Sequence, residues 1–324
     1  MYFLNADQVQ QALPMTEAIQ AVKRAYAAVS AHKAVMPLRT QVPVAPHEGT
    51  TLLMPAYLQS EDGEALSIKI VSVFQKNPQR GLPLIYGVVL VLDPQTGEPQ
   101  ALLDGGALTA IRTGAASGAA TDLLARPDCT TAAIFGAGVQ GRTQLEAVCT
   151  VRPLRTVWVV DPNPEKVERF IQEMAGKGPI PTDLRPAEHP DRAAAQADII
   201  CAATTSNTPV FSADAIRPGT HINGVGSYTP QMREIPPDLL PRAAVFVDQI
   251  EAVREEAGEI IAALQEGLIA PDSLTEIGAV INNTAPGRTS AEQITFFKSV
   301  GLAAQDAAAA QAALRNADTI GAVS

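Results

Sequence analysis

The chain has 324 residues, of which 46% are hydrophobic and 18% are charged, enough apolar material to bury a sizeable core in two domains. Its formal net charge of -10, from 34 acidic and 24 basic residues, argues against a surface for nucleic acid or anionic lipid, since both require clustered Lys and Arg. The N-terminus has no basic start followed by an apolar stretch, and no segment approaches the apolar length that spans a bilayer, so we expect a cytoplasmic protein that binds no membrane.

The cysteines and histidines are too scattered for a metal site. No Cys-x-x-Cys pair is formed by Cys129, Cys149 and Cys201, which we expect to be reduced, structural thiols. The histidines are equally dispersed, at His32, His47, His189 and His221. Without a cluster of ligands, the sequence predicts no bound metal.

The first 118 residues predict a mixed region of helix and strand. A helix is expected over 16–34, and strand-like apolar runs follow at 50–59, 65–75 and 85–93. The turn "DPQTGE" connects the last of these runs to "PQALLD", which indicates a hairpin rather than a crossover.

From residue 119 to 300 the pattern changes to alternating strands and helices. Strands are expected at 130–136, 156–161, 197–205, 220–226 and 243–249, and helices at 139–150, 164–175 and 250–267. Such alternation predicts the α/β class, with a Rossmann-type doubly wound parallel sheet that has helices on both faces. The segment 295–317 is interpreted as one long Ala-rich helix, free to return to the first region.

A glycine loop, Gly136-x-Gly138-x-x-Gly141, directly follows the apolar strand "TTAAIF" and directly opens a helix. Glycine permits a tight turn and lets backbone amides approach a pyrophosphate at the helix N-terminus, so we favour a dinucleotide site over a plain turn. Asp161 lies twenty residues after Gly141, where a carboxylate binds ribose hydroxyls and repels the extra phosphate of NADP. The sequence therefore predicts NAD as the preferred cofactor, with NADP possible if Lys166 or Arg142 reaches the site.

Three cations stand in apolar or small-residue surroundings. Lys69 lies inside "ALSIKIVSVF", where it is either an edge-strand lysine that extends to solvent or a buried group with a lowered pKa for acid-base chemistry. Arg112, in "GGALTAIRTGAASGAA", either grips a carboxylate or phosphate or reaches solvent from a closely packed helix. Arg39, in "MPLRTQVP", is a weaker candidate of the same kind.

The loop "NGVGSYTPQMRE", residues 223–234, follows a predicted strand. Because ligands of doubly wound sheets lie beyond the carboxyl ends of the strands, Ser227 and Tyr228 are candidates to face a nicotinamide. The alternative is an ordinary Gly-Pro loop.

Taken together, the segments "SIKIV", "LTAIRTGAASGAAT", "FGAGVQGRTQLEA", "INGVGSYTPQMREI" and "EQITFFKSVG" resemble the ornithine cyclodeaminase and mu-crystallin family. The resemblance implies a substrate-binding and dimerisation domain of α+β type, residues 1–118 with 301–324. It also implies an NAD(P)-binding domain over 119–300 and a homodimer that acts on a small amino or imino acid.

Carried over residue by residue, the resemblance places Lys69 and Arg39 on the substrate, and Arg112 between substrate and cofactor. The residues that it places on the cofactor are Arg112, Thr113, Gly136, Gly138, Val139, Gln140, Gly141, Asp161, Thr204, Gly226, Ser227 and Ser299.

One position departs from the family members that cyclise ornithine. They carry an acidic residue where this chain has Tyr228, which favours a ketimine reductase such as one that converts Δ1-pyrroline-2-carboxylate to proline. Lys69 is the expected proton donor, with Tyr228 as the alternate and Arg112 and Arg39 on the carboxylate. Ornithine cyclodeaminase, alanine dehydrogenase and a non-enzymatic, crystallin-like NAD(P)-binding protein remain as alternatives.

Overall fold

The computed structural model describes residues 1–321, and the contacts within it divide the chain into two compact units. The first unit is Met1–Arg112 together with the chain from Leu302 onward, and the second is Thr113–Gly301. The division falls inside a helix, after residue 112, whereas the sequence predicted a boundary after residue 118.

The strands of the first sheet are β1 (Tyr2–Leu4), β2 (Ala34–Val35), β3 (Thr40–Val44), β4 (Gly49–Ser60), β5 (Gly63–Phe74), β6 (Ile85–Leu92) and β7 (Pro99–Asp104). Those of the second are β8 (Thr131–Phe135), β9 (Thr156–Val160), β10 (Asp183–Pro186), β11 (Ile199–Ala202), β12 (His221–Gly224), β13 (Ala243–Val247), β14 (Leu274–Glu276) and β15 (Ile294–Lys298). The α-helices are α1 (Ala6–Ala12), α2 (Met15–Ser30), α3 (Gly105–Leu124), α4 (Val139–Val151), α5 (Pro164–Met174), α6 (Pro190–Gln196), α7 (Ile250–Glu256), α8 (Gly258–Gln265), α9 (Ile277–Ile281) and α10 (Ala303–Arg315).

The sheet of the first unit runs in the order β1-β7-β6-β5-β4-β2, with β3 also paired to β4. Only the β1–β7 pair is parallel, and the predicted hairpin is confirmed because β6 pairs antiparallel with β7. Along β4 the residues Met54, Ala56 and Leu58 are buried on one face while their neighbours are half-buried. This period of two results from the helices α2 and α10, which pack on that face of the sheet.

The second unit confirms the predicted doubly wound architecture. Its eight strands are all parallel, in the order β10-β9-β8-β11-β12-β15-β13-β14. Alternate residues of β8 enter two separate cores: Ile134 packs with Val148 and Phe170, which belong to α4 and α5. Ala133 and Phe135 face the opposite core, which contains residues of α6, α7 and α8. Both faces of the sheet are therefore covered by helices.

The prediction of one long helix over 295–317 is wrong in its first part. Residues 294–298 form β15, an inner strand between β12 and β13 in which all five residues are buried, and the helix begins only at Ala303. A short run such as "ITFF", which is apolar at nearly every position, shows neither the period of a strand nor that of a helix. Periodicity therefore could not distinguish a buried strand from a buried helix here.

The single helix predicted over 250–267 is also wrong, because two helices, α7 and α8, occupy the segment. They are separated at Ala257, whose backbone is extended (φ -92°, ψ 102°). The chain passes so close to the 230–232 loop at this point that a Cβ atom on Gly258 would lie 2.1 Å from the carbonyl oxygen of Met232. Tertiary packing therefore overrides a sequence with good helix propensity.

None of the helices formed by residues 1–321 is long and apolar enough to cross a membrane.

Candidate active site

Lys69 lies on an inner strand of the first unit, so its interpretation as an edge-strand lysine is wrong. On β5 it stands between Met54 of β4 and Val89 of β6, and its side chain is 4% exposed on the face covered by α10. Its Nζ atom is 2.6 Å from Oδ2 of Asp306. Burial lowers the pKa of Lys69, and the carboxylate of Asp306 opposes that effect.

Arg112 is held by the same helix. Its Nε donates to Oδ1 of Asp306 at 3.0 Å, and its Nη1 donates to Oε1 of Gln305 at 3.1 Å. Gln305 is fixed in turn, since its Nε2 donates to the hydroxyl of Tyr26 at 2.6 Å. Arg112 therefore does not merely reach solvent. Within residues 1–321 its Nη2 atom has no hydrogen-bond partner, which leaves that side of the guanidinium for a ligand.

Arg39 belongs to the same group of charges, which we call the Asp306 cluster: Arg39, Lys69, Arg112 and Asp306. Arg39 is half-buried in the segment before β3, and its charge acts with that of Arg112 to lower the pKa of Lys69. With all groups ionised, the cluster contains three cations and one carboxylate. The first unit therefore combines the three predicted substrate residues into a cluster that is complementary to a carboxylate ligand.

The glycine loop of the second unit has the geometry of a dinucleotide turn. Gly136 has a φ of +101°, and a Cβ atom on Gly141 would lie 1.9 Å from the carbonyl oxygen of Gly136, so only glycine allows α4 to start this close to β8. Gly138 caps α4 in an extended conformation and has open space around it, whereas Val139 is 68% exposed. With Gln140, these residues present the first backbone amides of a 13-residue helix, as a pyrophosphate requires.

Asp161 and Thr204 line one cavity of about 1140 Å³ beside this loop, together with Trp158, Pro162, Glu165 and Arg192. The carboxylate of Asp161 also braces the loop, because its Oδ2 accepts from the backbone N–H of Ala137 at 3.0 Å. Its Oδ1 accepts from the N–H of Asn163 at 2.9 Å. The residues present thus fit the adenosine half of a dinucleotide, and the cavity carries four acidic side chains, Asp161, Glu165, Glu168 and Glu188.

The loops that follow β11 and β12 are joined by a buried carboxylate, Glu234. It accepts hydrogen bonds from the backbone N–H groups of Thr204, of Gly226 (2.6 Å) and of Ser227 (2.9 Å). Burial raises the pKa of Glu234, although the nearby charge of Lys298 opposes the shift. Three candidate cofactor residues are thereby held at fixed positions at the carboxyl edge of the sheet.

The side chains of Ser227 and Ser299 are used inside the protein. Ser227 donates to Glu259 at 2.6 Å, and Glu259 pairs with Lys298 at 3.0 Å, both ions being fully buried. Ser299 donates to Asp248 at 2.9 Å. A ligand at these loops would therefore meet backbone groups rather than the two hydroxyls.

Tyr228 differs from its neighbour Ser227, because its side chain is 53% exposed at the surface of the loop. Its phenol is therefore accessible, and no carboxylate occupies this position. Thr113, the remaining candidate, is buried in α3, where its carbonyl oxygen accepts from Nε2 of Gln144 at 3.0 Å.

Several buried polar and charged residues that hold the candidate site residues in place were not predicted from the sequence. The missed residues are Asp306 and Gln305 in the first unit, and Glu234, Asp248, Glu259 and Lys298 in the second. One signal was present: Asp306 is a lone acid within "LAAQDAAAAQAAL", a helix that is otherwise almost entirely apolar. An acid in such a position is rarely buried unless it is paired, and a buried lysine and arginine were the partners to seek.

The parallel doubly wound sheet, the glycine loop and the Asp306 cluster are typical of a dinucleotide-dependent enzyme of amino or imino acids. The sequence pattern of the ornithine cyclodeaminase/mu-crystallin family matches residues 1–319, and the chain belongs to this family. It is 40% identical over 308 residues to a Delta(1)-pyrroline-2-carboxylate reductase of Bacillus cereus, covering 94% of this chain and 93% of that protein.

Two solved structures are similar over the whole chain. The Thermococcus litoralis Delta(1)-pyrroline-2-carboxylate reductase in complex with NADH and L-proline has a TM-score of 0.92 and 40% identity, and each chain is covered completely. An archaeal alanine dehydrogenase dimer with bound NAD has a TM-score of 0.90 and 31% identity, covering 100% of this chain and 98% of that one.

Proposed function

We propose that the protein reduces a cyclic imino acid at the expense of NADH, converting Δ1-pyrroline-2-carboxylate or its six-membered homologue to the saturated amino acid. The observation that carries this proposal is the Asp306 cluster, in which a buried lysine stands beside two arginines. Likeness to a reductase solved with NADH and L-proline supports the same substrate class.

The cations of the Asp306 cluster suit the substrate carboxylate. Arg112 binds it through the free side of its guanidinium, because Asp306 and Gln305 already occupy the Nε and Nη1 atoms. Each charge-assisted hydrogen bond contributes roughly 1.5 to 3 kcal/mol. Arg39, which is only half-buried, adds a second cation on the same substrate group.

Lys69 donates the proton that the reaction requires. The ammonium Nζ gives a proton to the imine nitrogen, which makes the C=N carbon a better hydride acceptor. A dinucleotide held at the glycine loop by Gly138, Val139 and Gln140 would supply that hydride. One C–H and one N–H bond are formed while the C=N double bond becomes single. Burial lowers the pKa of Lys69, which makes its proton more available for transfer to the imine. Tyr228, whose phenol is exposed, is the alternate donor.

The cofactor is NAD(H) in preference to NADP(H). Asp161 and Glu165 line the cavity in which the adenosine half fits, and their charges repel a 2′-phosphate. Arg192 and His189 line the same cavity and are the groups through which NADPH would be accommodated as a poorer cofactor.

A homodimer is part of the proposal. The face of the first sheet opposite α2 and α10 is apolar and partly open, and exposed residues near it include Leu38, Val42, Ile85, Tyr86 and Val88. An apolar surface of this kind is typical of a subunit interface. Light scattering should therefore give twice the chain mass of 34.0 kDa.

The deciding experiment follows the absorbance of NADH, and separately of NADPH, with Δ1-pyrroline-2-carboxylate and with its six-membered homologue. Rapid oxidation with either imine supports the proposal and identifies the ring size and the cofactor. No oxidation, combined with ammonia release from ornithine, would replace the proposal with cyclodeamination, despite Tyr228 in place of an acid. NADH formation from alanine would instead identify an alanine dehydrogenase.

If none of these reactions occurs while NADH still binds, the protein is a dinucleotide-binding protein without this chemistry. That outcome is disfavoured by Lys69, since a buried lysine with one shared counter-ion has no use in a site that only binds the cofactor.

A further inference from the structure

Each carboxylate oxygen of Asp306 is paired with a different cation, Lys69 or Arg112. Oδ2 lies 2.6 Å from Nζ of Lys69, and Oδ1 lies 3.0 Å from Nε of Arg112, while the carboxylate itself is 1% exposed. A buried carboxylate in this position has no water to compensate it, so its interactions with the two cations are strong.

The helix that carries Asp306 is built to bring this carboxylate close to the sheet. Most residues of α10 are alanines, ten of its thirteen residues are buried, and the helix packs directly on β4 and β5. The preceding residue, Gln305, is also fixed, because its Oε1 accepts from the N–H of Leu302 at 2.7 Å and its Nε2 donates to Tyr26. Asp306 therefore has little freedom to move away from Lys69.

The charged groups that act most strongly on Lys69 come from three elements. Asp306 approaches from α10, Arg112 from α3 and Arg39 from the segment before β3. The neighbours of Lys69 within the sheet, Met54 of β4 and Val89 of β6, carry no charge. From α2 the hydroxyl of Tyr26 accepts a hydrogen bond from Gln305. Among residues 1–321, Asp306 is thus the acid that holds a proton on Lys69 against burial and two nearby arginines.

We propose that Asp306 is a positioning residue, which keeps Lys69 protonated before substrate binds. The inference rests on the proposed function, in which Lys69 donates a proton to the imine. Asp306 itself transfers no proton, because both of its oxygens remain paired with cations.

Replacing Asp306 by asparagine keeps the shape of the side chain and removes its charge. An opposite charge at this distance shifts a pKa by about 1 to 3 units, so in Asp306→Asn the decline of kcat/KM at high pH should begin about 1 to 3 pH units lower. Above that decline, the variant should be about tenfold to a thousandfold slower than the unaltered protein, whereas at low pH the two profiles should converge. Substrate ionisation contributes equally to both profiles and does not affect the difference.

The matched control is Asp62→Asn, the same chemical change in the same unit at a half-exposed acid that pairs with Arg24. Its pH profile should superimpose on that of the unaltered protein. Asp306→Glu, which restores the charge, should return the high-pH decline towards its original position. If Asp306→Asn does not fold, Asp306→Ser provides the uncharged variant.

A second measurement separates this inference from the proposed function. The chain has seven lysines, so the Nζ titration of Lys69 can be followed by NMR of [13Cε]lysine-labelled protein, with Lys69→Met to assign the signal. A lower titration midpoint in Asp306→Asn supports the inference even if no imine is reduced, which would overturn only the proposed function. An unchanged midpoint, or a kcat/KM reduced equally at every pH, would overturn the positioning role.

Discussion

Two glycines of the same loop should respond in opposite ways to an added methyl group. In Gly141→Ala the new Cβ atom would lie 1.9 Å from the carbonyl oxygen of Gly136, where ordinary contact begins at 3.4 Å. The loop or α4 must therefore move by about 1.5 Å. Because the carbonyl oxygen is part of the backbone and the Cβ atom is fixed to it, neither can rotate away, and we expect the free energy of unfolding to fall by about 3 kcal/mol. For a unit of this size that cost lowers the Tm by roughly 6 to 12 °C.

Gly138→Ala is the matched comparison, because Gly138 is extended (φ -84°) and an added Cβ meets nothing within 4 Å. The unliganded variant should be as stable as the unaltered protein, or more stable by about 0.4 to 1 kcal/mol through the lower entropy of its unfolded chain. Its methyl group would stand where the pyrophosphate approaches the backbone, so NADH should bind more weakly.

The assay is thermal unfolding of each variant without ligand, followed by titration with NADH under conditions in which both are folded. An unchanged Tm in Gly141→Ala would show that α4 does not approach the loop as closely as described. Full NADH affinity in Gly138→Ala would show that the pyrophosphate does not lie over this glycine, and would remove the reason for assigning the loop to the cofactor.

Three further outcomes are expected. Lys69→Met should depress imine reduction while NADH affinity, measured by fluorescence titration, stays nearly intact; loss of NADH binding would contradict its role as proton donor. His221 is fully buried between Thr295 and Asn223, and burial lowers its pKa to about 3. Below pH 6.5 the unfolded chain therefore binds a proton at this histidine that the folded chain does not bind. Between pH 6.5 and about pH 3, His221 should lower the free energy of unfolding by about 1.4 kcal/mol for each pH unit of acidification. Urea titrations at several pH values should show this contribution, and His221→Gln should lack it. In Glu234→Gln an amide NH₂ faces backbone N–H donors, which should lower the free energy of unfolding by about 1 to 3 kcal/mol and weaken NADH binding. The control Glu255→Gln, at an exposed position, should change neither the stability nor the NADH affinity.

The local signals in the sequence predicted those parts of the fold that depend on nearby residues. The hairpin at "DPQTGE", the strand before Gly136 and the helix after it are all confirmed, since turn chemistry and periodicity act over a few residues. The strand β15 was missed because its apolar residues are buried on both faces and run into an alanine-rich helix. Its identity depends on pairing with β12 and β13, whose paired residues lie 74 and 51 residues earlier in the chain.

The same limit applied to the site. The isolated cations Lys69 and Arg112 stood out because a charge in an apolar segment is conspicuous. Nothing in their own segments indicated Asp306, which follows Arg112 by 194 residues and Lys69 by more than that. Glu234 was less visible still, because an acid in a polar loop has the composition of a surface residue. That it is buried, with three backbone donors on it, follows from how the strand-end loops converge, and a single sequence does not specify that convergence.

The order in which this chain is synthesised differs from the order in which its units can be completed. Domains generally fold as they emerge, at roughly 5 to 20 residues per second, with the N-terminal one first. Here the second unit is one continuous stretch, 113–301, whereas the first unit needs α10 from the C-terminus. Until those last residues are made, the inner face of the first sheet lacks one of its two covering helices, and Lys69 lacks its counter-charge. The first unit is therefore completed only after the second has been synthesised, and a premature stop before residue 302 would leave the first unit without α10 while sparing every residue of the glycine loop.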